Sequence, residues 1–233
     1  PTSPSVACER QTPFLEKNIK DNLLESLSYR LISDAPIGVL LSGGLDSSSL
    51  VSLLSSIGEK NIKTFSVGFG TESDELEYAR IVADKFKTQH TEILIDAEDM
   101  KKYLPKIVLS LDEPLADTGA FASWLIFKHI REKTNIKVAL VGEGADEIFA
   151  GYSWHYILDR LSWLPESIKN RILFYLTTYS NSKFRSALFQ NVFLPTFNKF
   201  SDSDYLNRVL RMEFANNLPN NLLMKIDKAS MAF

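Results

Sequence analysis

LLSGGLDSSSL, residues 40–50, carries an apolar run into serine and two glycines, then into an aspartate and three more serines. The run itself, IGVLL (37–41), is short and bulky, as a buried strand is. A helical pattern over 47–57, beginning near Asp46, follows without a linker. A strand that turns through Gly-Gly straight into a helix is the opening of a βαβ unit, and in open parallel sheets ligands bind outside the carboxyl ends of the strands. Glycines let backbone N–H groups approach an anion, and a helix N-terminus adds positive partial charge. Ser42, Ser47 and Ser48 add hydroxyl donors without bulk, so the loop reads as a phosphate holder. Neither GxxxxGK[ST] nor GxGxxG is present, which excludes a Walker A loop and a dinucleotide-binding fingerprint. An aspartate beside phosphates is repulsive unless a cation intervenes, which makes Asp46 a candidate Mg²⁺ contact. The plainer alternative is that Gly43–Gly44 is only a tight turn and Asp46 only a helix cap.

Working outward, three more short apolar runs, 62–69, 91–95 and 136–142, alternate with helical patterns over 75–86, about 97–111 and about 119–134. That alternation predicts an α/β fold, a parallel sheet flanked by helices. The continuous apolar character of the first and last strands predicts burial on both faces. Upstream, Leu15, Ile19, Leu23, Leu27 and Leu31 recur every fourth position and predict a helix with one packed face. Residues 1–13, with three prolines, read as a linker or tail. The α/β core is expected over 14–152. Beyond it the strand signal fades and 153–163, 166–179 and 204–216 look helical, so 153–233 is expected to be a helical extension. Leu206, Val209, Leu210 and Phe214 are placed in its core.

The 233 residues are 45% hydrophobic and 24% charged with a net charge of −3, an ordinary globular composition without a basic block for nucleic acid or an anionic membrane. The single cysteine, Cys8, excludes an internal disulfide and a multi-cysteine metal site and suits a reducing, cytoplasmic setting. No run of 18 apolar residues is present.

A second constellation lies at the end of the fourth strand, VGEGADEIFAGY (141–152), with Glu143, Asp146 and Glu147 inside five residues. Asp146 and Glu147 alone would suit a helix N-terminus. Glu143 between two glycines is different, because bulk is stripped from both its sides. The two loops are expected to share the ligand-binding edge, with Asp46 and Asp146 on Mg²⁺ and Glu143 left for proton transfer.

With FSVGF (65–69), DELEYAR (74–80), DEPLADTGA (112–120) and LLMKIDKASM (222–231), these motifs resemble, in order, the synthetase domain of glutamine-dependent asparagine synthetases. SGGxDS is the pyrophosphate loop of ATP pyrophosphatases. The resemblance implies that ATP adenylates the side-chain carboxylate of aspartate, releasing pyrophosphate, and that ammonia then gives asparagine and AMP. Carried over motif by motif, Leu40, Val67, Val141 and Gly142 would contact the adenine nucleoside. Ser42, Gly43, Gly44, Asp46, Ser47 and Ser48 would hold the phosphates. Glu143 would take a proton from the attacking amine, Asp146 would bind metal, and Lys228, or Lys225, would supply positive charge. On their own, those lysines read as solvated residues of a helix whose other side bears Leu222, Leu223 and Ile226. Asp74 matches an aspartate near the nucleotide or substrate and is also expected as a helix cap with Glu77. Asp112, Glu113 and Asp117 fall in a loop near the site. His90, His129 and His155 are too scattered for a metal motif, and Tyr152, Trp154 and Tyr156 are expected to pack.

Members of that family begin with a glutaminase domain and continue past KxDxxSM, so the chain reads as an interior piece of a longer enzyme, with ammonia supplied by a glutaminase domain and a homodimer as the assembly. DEPLADTGA lacks the arginine that holds substrate carboxylate in some relatives. Amide-forming ligases of the same fold, closing β-lactam rings or cyclising peptides, remain open, as does a non-catalytic nucleotide-binding module.

Overall fold

The structure is a computed structural model that describes residues 4–32, 34–71, 74–112, 117, 119–177, 194–200 and 204–233. The chain divides into two compact units, Pro1–Gly142 with Ala229–Phe233, and Glu143–Lys228. The boundary between them falls at Gly142–Glu143.

The first unit holds a parallel sheet of β1 (Ile37–Leu40), β2 (Lys63–Gly68), β3 (Gln89–Leu94) and β4 (Val138–Leu140) in the order β3-β2-β1-β4. The register pairs Val39 with Thr64 and with Leu140, and Val67 with Ile93. The chain moves from β1 outward to β3 and returns to β4 on β1's other side. The topological switch point therefore lies between β1 and β4, the place where such sheets bind ligands. Flanking helices are α1 (Pro4–Arg30), α2 (Leu45–Ser56), α3 (Leu76–Phe86), α4 (Ala97–Ser110) and α5 (Gly119–Lys133). A core of Leu27, Val39, Leu41, Val51, Leu54, Ala79, Ala83 and Leu140 ties α1, α2 and α3 to β1 and β4.

Of the two strands expected to be buried on both faces, β1 is interior with Val39 buried, but β4 is an edge strand. β2, with its polar residues, is interior as well; Thr64, Phe65 and Ser66 are all buried. β2 tolerates this because its hydroxyls are paired. Thr64 Oγ1 lies 2.8 Å from Thr88 Oγ1 and 2.9 Å from Nδ1 of His90, and Ser66 donates to the Leu41 carbonyl.

Helix α1 starts at Pro4, so most of the expected tail is helical. A proline in the first turn costs no hydrogen bond, and Pro13 removes one bond from a 27-residue helix. Only the end of its apolar stripe is packed: Leu27 is buried, while Leu15, Ile19 and Leu23 are exposed.

The second unit contains α6 (Ala145–Phe149), α7 (Ser153–Arg160), α8 (Glu166–Thr177), α9 (Leu194–Phe197), α10 (Tyr205–Asn217), a π-helical turn Leu218–Leu223 and α11 (Met224–Ser230), whose last two residues belong to the first unit. Its core gathers Leu158, Leu173, Phe197, Tyr205, Val209 and Met212. Phe214, expected there, is exposed; the buried face of α10 runs through Tyr205, Val209, Met212 and Glu213. Helix α6 packs on α10, which is why the unit begins at Glu143. Among the described residues no helix is long and apolar enough to cross a membrane.

Candidate active site

Residues 41–44 leave β1 as a loop whose shape is set by its own serines. Ser47 Oγ accepts the N–H of Ser42 at 3.2 Å, donates to the Gly44 carbonyl at 3.3 Å and lies 3.0 Å from Ser42 Oγ. Ser42 Oγ in turn accepts the Gly44 N–H at 3.2 Å. Ser47 is buried, so its hydroxyl braces the turn. Ser48 Oγ is buried without a partner among the described residues. Gly44 is the N-cap residue of α2, with no side-chain cap, and Asp46 lies in the helix's first turn; Asp46 is not the cap. The first-turn N–H groups of a helix have no intrahelical acceptor, which leaves this end suited to an anion.

Two glycines are required by close approach. Gly43 has φ +89, and a Cβ there would stand 2.6 Å from the Ala79 nitrogen on α3. At Gly142, just past β4, a Cβ would stand 3.2 Å from the Asp46 Cβ and the Ser47 nitrogen. Thus β4's end and the start of α2 touch at the switch point, as the sheet order demands. Leu40 and Val67 lie at the carboxyl ends of the adjacent β1 and β2, and Val141 directly follows β4.

Beyond β2, Asp74 Oδ2 accepts the N–H groups of Phe69 and Gly70 at 2.8 Å and of Thr71 at 3.2 Å, and Thr71 Oγ1 donates to Oδ1 at 3.1 Å. It ties a loop together rather than capping α3, whose N-cap residue is Glu75. Burial raises its carboxyl pKa, but the donors on Thr71, Phe69 and Gly70 outweigh this and leave it lowered.

Glu143 opens the second unit and is exposed. Gly144, at φ +95, turns the chain into α6 against Leu218. Asp146 and Glu147 stand in the first turn of α6, favourable for carboxylates. Asp146 is half-buried over Gly151, where a Cβ would lie 1.8 Å from its Oδ1. Gly151 is therefore a site residue that sequence spacing did not single out; its neighbour Ala150 in the left-handed region (φ +58) was the available signal of a sharp turn only in the structure. We expect Gly151→Ala to displace the Asp146 carboxylate while costing less than about 1 kcal/mol of stability, because a side-chain end yields more easily than backbone. Thermal melts and a Mg²⁺ titration of pyrophosphate release check this.

Glu147 is buried with Oε1 accepting the Tyr152 hydroxyl at 2.6 Å. On α11, Lys228 is half-buried and Lys225 buried, so the plainer alternative of two solvated lysines does not describe them. Asp117 accepts the Gly119 N–H at 2.8 Å at the start of α5, and Asp112 is exposed; Glu113 lies outside the described residues. His155 is fully buried, with Tyr152 and Trp154 packed around it, as expected of a structural group.

The nucleoside and phosphate candidates thus share the first unit, while Glu143, Asp146 and Lys228 share the second. No group of three or more His, Cys, Asp or Glu with metal-ligand geometry occurs among the described residues. Mg²⁺ needs only one or two carboxylates when phosphates and water complete its octahedron, so a carboxylate such as Asp46 or Asp146 is, by its donor chemistry, a fitting ligand.

Comparison with known proteins agrees with the motif reading. The asparagine synthetase [glutamine-hydrolyzing] 1 of Bacillus subtilis is 36% identical over 163 residues, 68% of this chain and 25% of its own length. The asparagine synthetase [glutamine-hydrolyzing] of Homo sapiens is 34% identical over 160 residues, 64% of this chain and 28% of its own. The matched part of the chain spans between a fifth and a third of the length of the curated relatives it matches. An NH3-dependent NAD synthetase from Campylobacter jejuni, solved with nitrate, aligns over 93% of this chain and 95% of its own at TM-score 0.43 and 17% identity, too distant to support any argument. The family model for asparagine synthase matches residues 18–233, and the chain belongs to that family.

Proposed function

We propose that this chain is the ATP-dependent, amide-forming part of an asparagine synthetase, acting in the cytoplasm on ATP, aspartate and ammonia delivered by a glutaminase domain. The observation that carries the reading is the SGGLDSS loop at the β1–β4 switch point, with Gly142 against Asp46 and Ser47. Leu40, Val67, Val141 and Gly142 offer small or apolar surface and backbone to the adenosine. Ser42, Gly43, Gly44 and Ser48, with the open end of α2, hold the phosphates, while Ser47 keeps the loop in shape. This orients the α-phosphate for attack by the aspartate side chain and stabilises the pyrophosphate that leaves. Asp46 and Asp146 would hold Mg²⁺, which when bound neutralises charge on the phosphates. Lys228, with Lys225, adds positive charge as the acyl-adenylate forms and decays. Glu143 accepts a proton as ammonia attacks the activated carboxyl.

The test is to supply the intact protein that carries these residues with ATP, Mg²⁺, aspartate and ammonia. Equal amounts of AMP, pyrophosphate and asparagine are expected. Pyrophosphate release that ignores aspartate would overturn the substrate, and the same assay with other carboxylates would then identify it; tight ATP binding without cleavage between the α and β phosphates would point to a nucleotide-binding module. Asp46→Asn keeps the volume and removes the charge. It is expected to lower pyrophosphate release about 10- to 100-fold and to raise the Mg²⁺ concentration needed for half-maximal rate, with folding unchanged.

A further inference from the structure

The second unit buries two carboxylates that this chemistry leaves unused. Glu147 on α6 is 1% exposed and Glu213 on α10 is 7% exposed. Burying a carboxylate costs several kcal/mol unless it is paired and hydrogen-bonded, so their partners matter. Glu147 takes the Tyr152 hydroxyl. Glu213 Oε2 lies 2.8 Å from Nε2 of His155, whose side chain is 0% exposed. The Tyr152 and His155 rings stand 5.3 Å apart, and Trp154 closes on His155 at 3.9 Å. A continuous series of contacts thus runs from the carboxylate beside Asp146, through Tyr152 and His155, to α10. All of it lies in one compact unit.

Packing alone does not ask for this arrangement. Apolar residues of the same volume are commonly as stabilising as a buried ionic pair, or more so. The cluster is also incompletely satisfied: Glu147 Oε2 and His155 Nδ1 are buried without partners among the described residues. Orphaned buried polar atoms are rare in folded proteins and require a reason. Burial raises the Glu213 carboxyl pKa, His155 opposes the shift, and the charges of Glu147 and Asp146 add to it, so the loop and α10 act on one another electrostatically.

We propose that Glu213 is a positioning residue for the Glu143–Glu147 loop, acting through His155 and Tyr152; this rests on the role given to that loop above. By accepting the Nε2–H of His155, Glu213 fixes the tautomer and the plane of the ring. The ring seats Tyr152, and the Tyr152 hydroxyl fixes Glu147 next to Asp146. Misplacement of reacting groups by about 1 Å costs about 100-fold in rate, so a loop held this way shows its brace in kcat rather than in substrate binding.

The experiment compares Glu213→Leu, Glu213→Gln and Tyr152→Phe in the intact protein, well below each variant's unfolding midpoint. Glu213→Leu is expected to lower kcat for asparagine formation about 10- to 100-fold with the KM for ATP within about twofold. Glu213→Gln keeps an oxygen that accepts the His155 N–H and should recover most of the rate. A folded Glu213→Leu with wild-type kcat overturns the proposal, and so do equal losses in the Gln and Leu variants, which would implicate the charge instead of the bond. Should Glu213→Leu not fold, Tyr152→Phe removes one hydroxyl and decides the matter: reduced kcat with unchanged KM supports the brace, and wild-type kcat overturns it. Wild-type protein lacking aspartate-dependent pyrophosphate release would overturn the functional reading itself and this role with it.

Discussion

Glu143→Gln is expected to lower asparagine formation by about 10²–10⁴-fold, the range a positioned general base contributes, while ATP binding and the first-turnover burst of aspartate-dependent pyrophosphate stay within a few-fold of wild type. Glutamine matches glutamate in shape, so the loop between Gly142 and Gly144 keeps its backbone and loses only a basic oxygen. Glu143 directly follows Gly142, whose Cα sits against the first turn of α2. Activation of the carboxylate precedes attack by the amine, so a residue that serves only the second step leaves the first intact. Following pyrophosphate and asparagine separately through the first turnover reads the two steps apart, because later turnovers wait until the acyl-adenylate is consumed. Equal loss in both first-turnover rates would move Glu143 to the adenylation step, and full activity would remove it from the chemistry.

Gly43→Ala is expected to disable the nucleotide site and to destabilise the fold by roughly 2–4 kcal/mol, backbone strain and overpacking together. At φ +89 an alanine is already strained, and its Cβ would stand 2.6 Å from the Ala79 nitrogen and from the Tyr78 Cβ on α3. Those atoms belong to a packed helix and cannot turn aside, so the loop must lift. The Ser42–Ser47 and Ser42–Gly44 bonds that shape it are then lost with it. ATP affinity is expected to fall about 100-fold or more. Gly44→Ala is the control: its φ is −67, the nearest atom to its Cβ is Ser42 Oγ at 3.3 Å, and its effect should stay near 1 kcal/mol. Denaturant unfolding and nucleotide titration of both variants check the contrast; equal behaviour would mean that the loop is not held by α3.

Much of the candidate site was legible because its residues are contiguous. A phosphate loop is a run of neighbouring N–H groups and small side chains, and SGGLDSS reads as one at a strand's end; GEGADE gathers its carboxylates in one run at another. Strands β1 to β4 and helices α2 to α5 were likewise visible, since each is a local period in hydrophobicity. Long-range partners were not. Nothing in the sequence links Gly43 to Ala79 or His155 to Glu213, because those pairs meet only after the helices pack. Glu213 was further concealed by its place within an apolar helical face, where a carboxylate reads as a surface residue.

The alternation of strands and helices, the two carboxylate-bearing loops and the family were determined by sequence alone, for they depend on order along the chain and on local backbone preference. Tertiary structure decided which strand is central, which glycines are indispensable and which serine braces the turn. It placed polar β2 inside the sheet and apolar β4 at its edge, because burial is set by the number of neighbours a strand acquires and by whether its hydroxyls find partners, and neither quantity exists until the sheet has formed.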